Sequence, residues 1–409
     1  MMGRHVATTL EPGQPSAAPP AAGQGWLVAA LALALAAAVS LGLARFAYGL
    51  LLPAMRADLG WTYFTAGAMN TANAAGYLAG ALLAPAAFAR VDARRVLLAG
   101  GWAAAVLLAL HGLVRSDAAL YALRFATGTA SAASFVAGGL LAARLAGRAG
   151  PGRSGLVLGL YYGGTGLGIV AGSLAVPTVL PDADATAWPA AWWLLAAVAA
   201  GGSLVTTAGT HSLAQPPAAV GARLPVRHRD FAAGLAGYAM FGLGYIGYMT
   251  FAITLLREQG YGSAARTAFF VLVGLGVIAS SWLWAGLLQR HRDGRPLAVL
   301  NGLLAVATLL PVLSIHPVAV YASGALFGAV FLSVVASTTA WVRHNLAPAA
   351  WPSGIAAFTI VFAAGQIVGP GLVGRVADGA GGLLPGFGVS AALLALGAVL
   401  ALFQRALPR

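Results

Sequence analysis

Apolar runs of about twenty residues, broken by short polar segments, recur along the chain from Trp26 onward. A run of that length lets one helix cross the hydrocarbon core of a bilayer while satisfying its own backbone hydrogen bonds. The pattern predicts a first set of six spans near 26–55, 63–88, 96–114, 118–143, 155–180 and 190–209. A second set follows near 231–256, 264–289, 297–314, 318–342, 353–376 and 384–404. Between them lies a polar stretch from His211 to Asp230, holding Pro216, Pro217, Arg223, Arg227 and Arg229. The expected organisation is a disordered cytoplasmic tail (1–25), a six-helix bundle (26–210), a cytoplasmic linker (211–230), and a second six-helix bundle with a short cytoplasmic tail (231–409). The tail is read from its Pro, Ala, Gly and Gln content without apolar periodicity. A cleaved signal peptide competes with that reading, but the apolar run starts far from Arg4 and continues into further spans.

The two sets rhyme. Asp92-Ala93-Arg94 recurs as Asp293-Gly294-Arg295, Tyr121-Ala122 with Gly128 as Tyr321-Ala322 with Gly328, and Ser154-Gly155 as Ser353-Gly354, always about 200 residues on. Nearly equal offsets between segments of the same rank are what a secondary transporter built from repeated bundles leaves in its sequence.

Composition points the same way: 8% charged residues, 60% hydrophobic residues and 55 glycines describe a lipid-solvated bundle rather than a soluble domain. The chain has no cysteine, which excludes disulfides, thiol redox chemistry and thiolate metal sites. Its net charge of +13 comes from 23 arginines and no lysine. In a membrane chain this charge speaks of topology rather than of nucleic acid. With the N-terminus inside, Arg4, Arg90, Arg94, Arg95, Arg144, Arg148, Arg153, Arg223, Arg227, Arg229, Arg290, Arg292, Arg295, Arg343, Arg405 and Arg409 fall on the cytoplasmic side. The other side receives Arg56, Arg115, Arg257, Arg266 and Arg375, while Arg45 and Arg124 lie inside spans.

The segment Ala89-Arg90-Val91-Asp92-Ala93-Arg94-Arg95 after span two is similar to the loop signature G-x-x-x-D-R-x-G-R-[RK] of the major facilitator superfamily. Its counterpart after span eight is Gln289-Arg290-His291-Arg292-Asp293-Gly294-Arg295. Both copies depart from the pattern: Ala93 stands for the usual glycine, and the acidic residue is displaced. Arg124-Phe125-Ala126-Thr127-Gly128 is similar to the R-F-x-x-G segment of the superfamily's fourth helix. The run from Gly163 to Gly168 resembles the proton-antiporter motif without its Gly-Pro. Leu43 to Gly49 with Pro53-Ala54-Met55 resembles a little-characterised bacterial branch. The resemblance covers essentially all of the chain after residue 25. It implies an all-α polytopic membrane protein of the MFS fold, with twelve transmembrane helices in two pseudo-symmetric bundles. It also implies gating roles for Arg90, Asp92, Arg94, Arg95, Arg292, Asp293 and Arg295.

A charge inside the membrane costs roughly 2.5–3.5 kcal/mol on insertion scales and usually faces a cavity. Arg45 and Arg124 are therefore the first candidates for substrate contact; outward snorkelling is the competing reading. Asn70, Asn73 and Tyr77 share a face of span two, where the amides bind substrate or join neighbouring helices. Tyr48 lies one turn beyond Arg45. Tyr238, Phe241, Tyr245 and Tyr248 form a stripe on span seven, read as a binding wall or as packing. Thr359, Phe362 and Gln366 share a face of span eleven before Gly369-Pro370, which suggests an interrupted helix. The substrate-site set is thus Arg45, Tyr48, Asn70, Asn73, Arg124, Tyr245 and Gln366.

All ten Asp and Glu residues fall in the tail, in loops or at span ends. A cation exporter would want a buried carboxylate, so an organic anion or a neutral polar solute is favoured. His111 near the end of span three is the proton-coupling candidate, or else an interfacial side chain. No His pair has metal-ligand spacing, and no phosphate-binding G-x-x-x-x-G-K-[ST] loop exists. The expectation is a secondary transporter of the bacterial inner (cytoplasmic) membrane, both termini cytoplasmic, working by alternating access. Its partners are a small solute and lipid; it is expected to act as a monomer, without cofactor, metal or nucleic acid. A proton-driven multidrug or metabolite exporter of the same fold is the alternative. A membrane-embedded sensor or enzyme is the alternative from another class.

Overall fold

The computed structural model describes residues 25–213 and 226–408. Arg4 with most of the expected tail, Arg223 with most of the expected linker, and Arg409 lie outside the described residues.

Twelve long helices account for nearly all of the described chain, with no strand among the described residues. They are α1 (Gly25–Leu59), α2 (Tyr63–Phe88), α3 (Ala93–His111), α4 (Asp117–Ala149), α5 (Pro151–Ala175) and α6 (Trp188–Gly209) in the first half. The second half holds α7 (Ala232–Glu258), α8 (Ser263–Arg290), α9 (Arg295–Leu313), α10 (Pro317–Asn345), α11 (Trp351–Ala377) and α12 (Leu383–Leu402). Eleven of them are long and apolar enough to cross a membrane. The twelfth, α2, spans 26 residues but is diluted by Thr65, Asn70, Thr71 and Asn73.

Helix ends correct the apolar reading in places. α4 continues to Ala149 rather than stopping near residue 143, because Arg144 and Arg148 are good helix formers and the stop comes only at Gly150, whose φ is +86°. α1 likewise runs to Leu59, and Gly60 at φ +67° ends it. The Gly369-Pro370 pair does not interrupt α11, which is helical throughout. Pro370 only denies the carbonyl of Gln366, four residues before it, a backbone donor.

One irregularity matters more. From Ala38 to Phe46, α1 is a π-helix, and the amide of Ala47 donates to the carbonyl of Gly42 at 3.1 Å, five residues back. Such wide turns are rare, and they concentrate at functional sites. They set the direction in which Arg45 leaves the helix.

The sequence rhyme becomes a structural register at an offset of 200. A Cβ on Gly76 of α2 would come within 3.0 Å of the Phe125 carbonyl on α4, and one on Gly128 of the Asn73 carbonyl on α2. In the second half, a Cβ on Gly276 would lie 2.8 Å from the Ala325 carbonyl, and one on Gly328 would meet the Val273 carbonyl more closely still. The same backbone-to-backbone crossing thus joins α2 to α4 and α8 to α10, as expected where small residues let lipid-embedded helices approach. Gly76→Val and Gly276→Val are each expected to destabilise their own bundle by about 1–3 kcal/mol, because a backbone carbonyl cannot rotate away. Thermal denaturation in detergent checks this: a lower melting point is expected in both variants.

The symmetry breaks one residue before Ala325. Arg124 occupies the position that Gly324 holds in the second half, and the ring of Phe269 lies 2.8 Å from where a Gly324 Cβ would be. Aromatic carbon fills the second half where the first carries a guanidinium.

The loops sort into an arginine-rich face and an opposite, arginine-poor face. On the arginine-poor face the two halves are tied together. The Asp378 carboxylate, just past α11, accepts the amides of Tyr63 and Phe64 at the start of α2, at 2.7 and 2.9 Å. Three further contacts cross there: the Tyr63 hydroxyl to Glu258, Arg266 to Asp182, and the Thr71 hydroxyl to the Ile367 carbonyl at 2.7 Å. Arg56 lies 3.7 Å from the Tyr63 ring centroid. Carboxylates at a helix N-terminus are favoured by the free amides and by the helix dipole, so Asp378 acts as a cap supplied by the other half.

Candidate functional site

Arg45 leaves the π segment of α1 into the seam between the halves, where it is 3% exposed. Its Nη2 donates to Gln366 Oε1 on α11, and the Tyr245 hydroxyl on α7 donates to the same oxygen at 2.8 Å. The guanidinium carbon stands 4.9 Å from the Tyr77 ring centroid on α2, a cation–π contact. Its Nε is buried without a hydrogen-bond partner. A buried donor left without an acceptor is costly.

Arg124 of α4, 1% exposed, is better satisfied. It donates to Asn70 Oδ1 at 3.2 Å, to the Ala44 carbonyl of the π segment at 3.3 Å, and to the Met69 carbonyl at 3.5 Å. Tyr48 covers its face, with the ring centroid 4.6 Å from the guanidinium carbon and the hydroxyl donating to the Ala66 carbonyl. Asn70 passes the link across the seam: its Nδ2 donates to Thr250 Oγ1 on α7 at 2.7 Å. Arg124 therefore pins α1, α2 and α4 together and orients the amide that bridges to the second half. Asn73 donates to the Arg124 carbonyl at 3.1 Å, while its Oδ1 is buried without a partner.

The chain thus joins Arg45, Tyr245 and Gln366 across the seam and sets Tyr48, Asn70, Asn73 and Arg124 beside them in the first half, with Asn70 reaching across to Thr250. Two guanidinium groups sit there, and the hydrogen-bond acceptors they meet are amide and carbonyl oxygens. The ion pairs Arg115–Asp58, Arg266–Asp182 and Arg295–Asp293 lie at loops and helix ends.

Other candidates stand elsewhere. His111 at the end of α3 stacks on Trp192 of α6 with centroids 4.5 Å apart, and its Nδ1 contacts the Leu107 carbonyl at 2.7 Å. It belongs to the α3–α6 contact rather than to the seam. In the loops expected to gate, Arg94 donates to the Thr207 and Thr210 carbonyls at 2.8 and 2.9 Å, fastening its loop to the end of α6. Arg292 donates to the His344 carbonyl at 2.7 Å and so fastens the second loop to the end of α10. Asp293 accepts the Arg295 amide at 3.1 Å, Asp92 precedes the first residue of α3, and Arg90 and Arg95 are exposed. On α7, Tyr248 turns away from the stripe and bonds Ser323 at 2.6 Å, stacked on Phe327.

Sequence reasoning did not select Thr250, whose role depends on meeting Asn70 from another half of the chain. It also had no signal for the π segment, and it read Asp378 and Glu258 only as acidic residues in loops or at span ends.

Residues 37–402 match the protein family described as the uncharacterised MFS-type transporter YbfB. No curated protein matches the chain. Among solved structures, a variant of the nucleoside transporter NupG is similar at 16% identity and a TM-score of 0.71, covering 92% of this chain and 100% of that one. A bacterial homolog of the human lysosomal transporter Spinster, inward-facing and unoccupied, is similar at 13% identity and a TM-score of 0.63, covering 92% and 95%. At such identities the likeness establishes the fold.

Proposed function

Because the chain belongs to the major facilitator superfamily, in the family of uncharacterised YbfB-type transporters, we propose that it carries a small organic anion across the bacterial inner membrane by alternating access. The observation that carries this reading is the pair of buried guanidinium groups at the seam, with amide and carbonyl oxygens as their hydrogen-bond acceptors. Charges taken out of water are costly unless neutralised, and an anion entering the seam neutralises them. A solute cation would add to the repulsion.

The roles divide by geometry. Arg45, with a free Nε and a partner in the other half, contacts the solute. Arg124, held by three acceptors, positions Asn70 and the π segment. Gln366 and Tyr245 occupy the Arg45 guanidinium in the absence of solute. An arriving anion takes that place and so loosens one of the bonds joining the halves at their centre.

Alternating access requires the halves to rock about this site. The bonds at the arginine-poor face support a form closed there. By the positive-inside rule the arginine-rich face is cytoplasmic, which supports termini on the inside and the closed side outside. Proton coupling through His111 finds no support in its surroundings. His111→Gln is expected to leave the initial rate of uptake and its pH profile unchanged within about twofold; a profile flattened by the substitution would make His111 the coupling group.

The proposal is tested by a screen of radiolabelled organic acids, their neutral amides and organic cations in proteoliposomes, with and without an uncoupler. Uptake of acids only is the expected result. Uptake of cations with no acid carried would overturn it.

A further inference from the structure

Four rings beside Arg45 are nearly parallel. Tyr245 lies 13° from the plane of Phe331, 20° from Phe241 and 21° from Phe362, with centroids 6.0, 4.6 and 5.6 Å apart. Phe241 and Phe362 are 6° from parallel at 5.3 Å. The rings come from α7, α10 and α11, so their common orientation is a product of packing between helices rather than of one helix's spacing. Phe46, adjacent to Arg45, meets Phe331 edge-on at 86° and 5.7 Å. The slab has a polar end: the Tyr245 hydroxyl and the Arg45 guanidinium converge on one oxygen of Gln366. Of its four rings Phe362 is half-buried, whereas Phe241, Tyr245 and Phe331 are buried.

Resting on the anion reading above, we infer that the solute is an aryl carboxylate, a flat ring bearing a carboxylate on a short stem. The carboxylate meets Arg45, filling its unpartnered Nε, and the ring continues along the half-buried face of Phe362. Aromatic pairs prefer offset-stacked or edge-on placement, so a ring face at the end of the slab favours a flat partner over a puckered one. A saturated ring of the same size buries similar apolar area but loses the stacking preference. That difference corresponds to about tenfold in affinity.

Isothermal titration of the purified full chain in detergent tests this with three matched probe sets. The first is benzoate, phenylacetate and 3-phenylpropionate; the second replaces each phenyl by cyclohexyl; the third replaces each carboxylate by a carboxamide. At least one aryl acid is expected to bind about tenfold more tightly than its cyclohexyl counterpart and far more tightly than its amide. Phe362→Leu should bring the aryl and cyclohexyl acids level while retaining acid binding, and Phe362→Tyr should keep the aryl preference. Cyclohexyl acids binding as tightly as aryl acids would overturn the ring inference and leave the anion reading standing. Amides binding as tightly as acids would overturn the anion reading instead. Absence of binding by every acid would overturn both.

Discussion

Arg45→Gln should lose anion binding by two to three orders of magnitude while the protein remains folded. The expectation follows from what Arg45 offers and what glutamine can replace. A carboxylate on the guanidinium gains charge-assisted hydrogen bonds, each contributing about 1.5–3 kcal/mol, and losing two of them near the low end of that range (about 3–4 kcal/mol) corresponds to roughly 100- to 1,000-fold in affinity. Gln at this position keeps an amide able to bond Gln366 across the seam, so the contact between α1 and α11 has a neutral substitute. Removing a buried charge also relieves its desolvation cost, so the melting temperature without solute is expected to hold or rise. Arg45→Lys separates charge from geometry: it retains the charge and loses the fork that grips a carboxylate from two sides, so an intermediate loss is expected. Titration of the purified variants with the best organic acid from the uptake screen checks all three statements.

Gly67→Val should hold the arginine-poor face open and abolish transport without unfolding either bundle. A Cβ on Gly67 of α2 would fall within 3.0 Å of the Pro370 carbonyl on α11, and one on Gly374 of α11 would do the same to the Tyr63 carbonyl on α2. Both obstacles are backbone, so no rotamer change makes room. The contrast with Gly76 is instructive, because there the crossing lies inside one bundle and a larger side chain strains that bundle's fold. At Gly67 the crossing joins the two halves, and the least costly relief is to part them. Parting them breaks the Asp378 cap on α2 and the bond from Thr71 to Ile367. A population shift to a dominant open form requires about 2–3 kcal/mol of differential strain, within the range that overpacking supplies. The chain has no native cysteine, so spin labels can be attached at Ala57→Cys and Ala380→Cys without further engineering. Both positions are exposed, on opposite halves at the arginine-poor face. The interlabel distance should increase in the Gly67→Val background; an unchanged distribution with normal uptake would show that this close approach does not form the gate.

Much of the architecture is written in the spacing of apolar runs, because a bilayer sets a minimum apolar length for each helix and the positive-inside bias orders them. The repeat is legible for the same reason that Gly76, Gly128, Gly276 and Gly328 matter: each sits where only hydrogen fits between two backbones. Arg45 and Arg124 stand out because a charge in an apolar run has few bland explanations. Their division of labour does not stand out. Arg124 is fully engaged because the carbonyls of Ala44 and Met69 happen to converge on it, and convergence of carbonyls leaves no trace in residue types.

The π segment is hidden for a related reason. Nothing in Ala38–Phe46 encodes an i to i+5 bond; it emerges where Gly42 packs against Gly168 and Arg124 draws on the Ala44 carbonyl. Gly369-Pro370 misleads in the opposite direction. Proline removes one hydrogen bond but keeps a helical φ, so α11 passes through it unbroken. Thr250 reads as a threonine bonded to its own helix, and it does donate to the Ile246 carbonyl at 2.6 Å. Only the fold shows that its oxygen also receives Asn70 from the other half.

The central claim is that the guanidinium groups of Arg45 and Arg124 form the positive pole at which the solute is carried. Uptake of the preferred organic acid into proteoliposomes, compared among the native chain, Arg45→Ala and Arg124→Ala at equal reconstitution, tests it most directly. Loss of uptake in both variants is the predicted result, the first through lost contact and the second through loss of the positions of Asn70 and the π segment. Uptake at the native rate in both would contradict it.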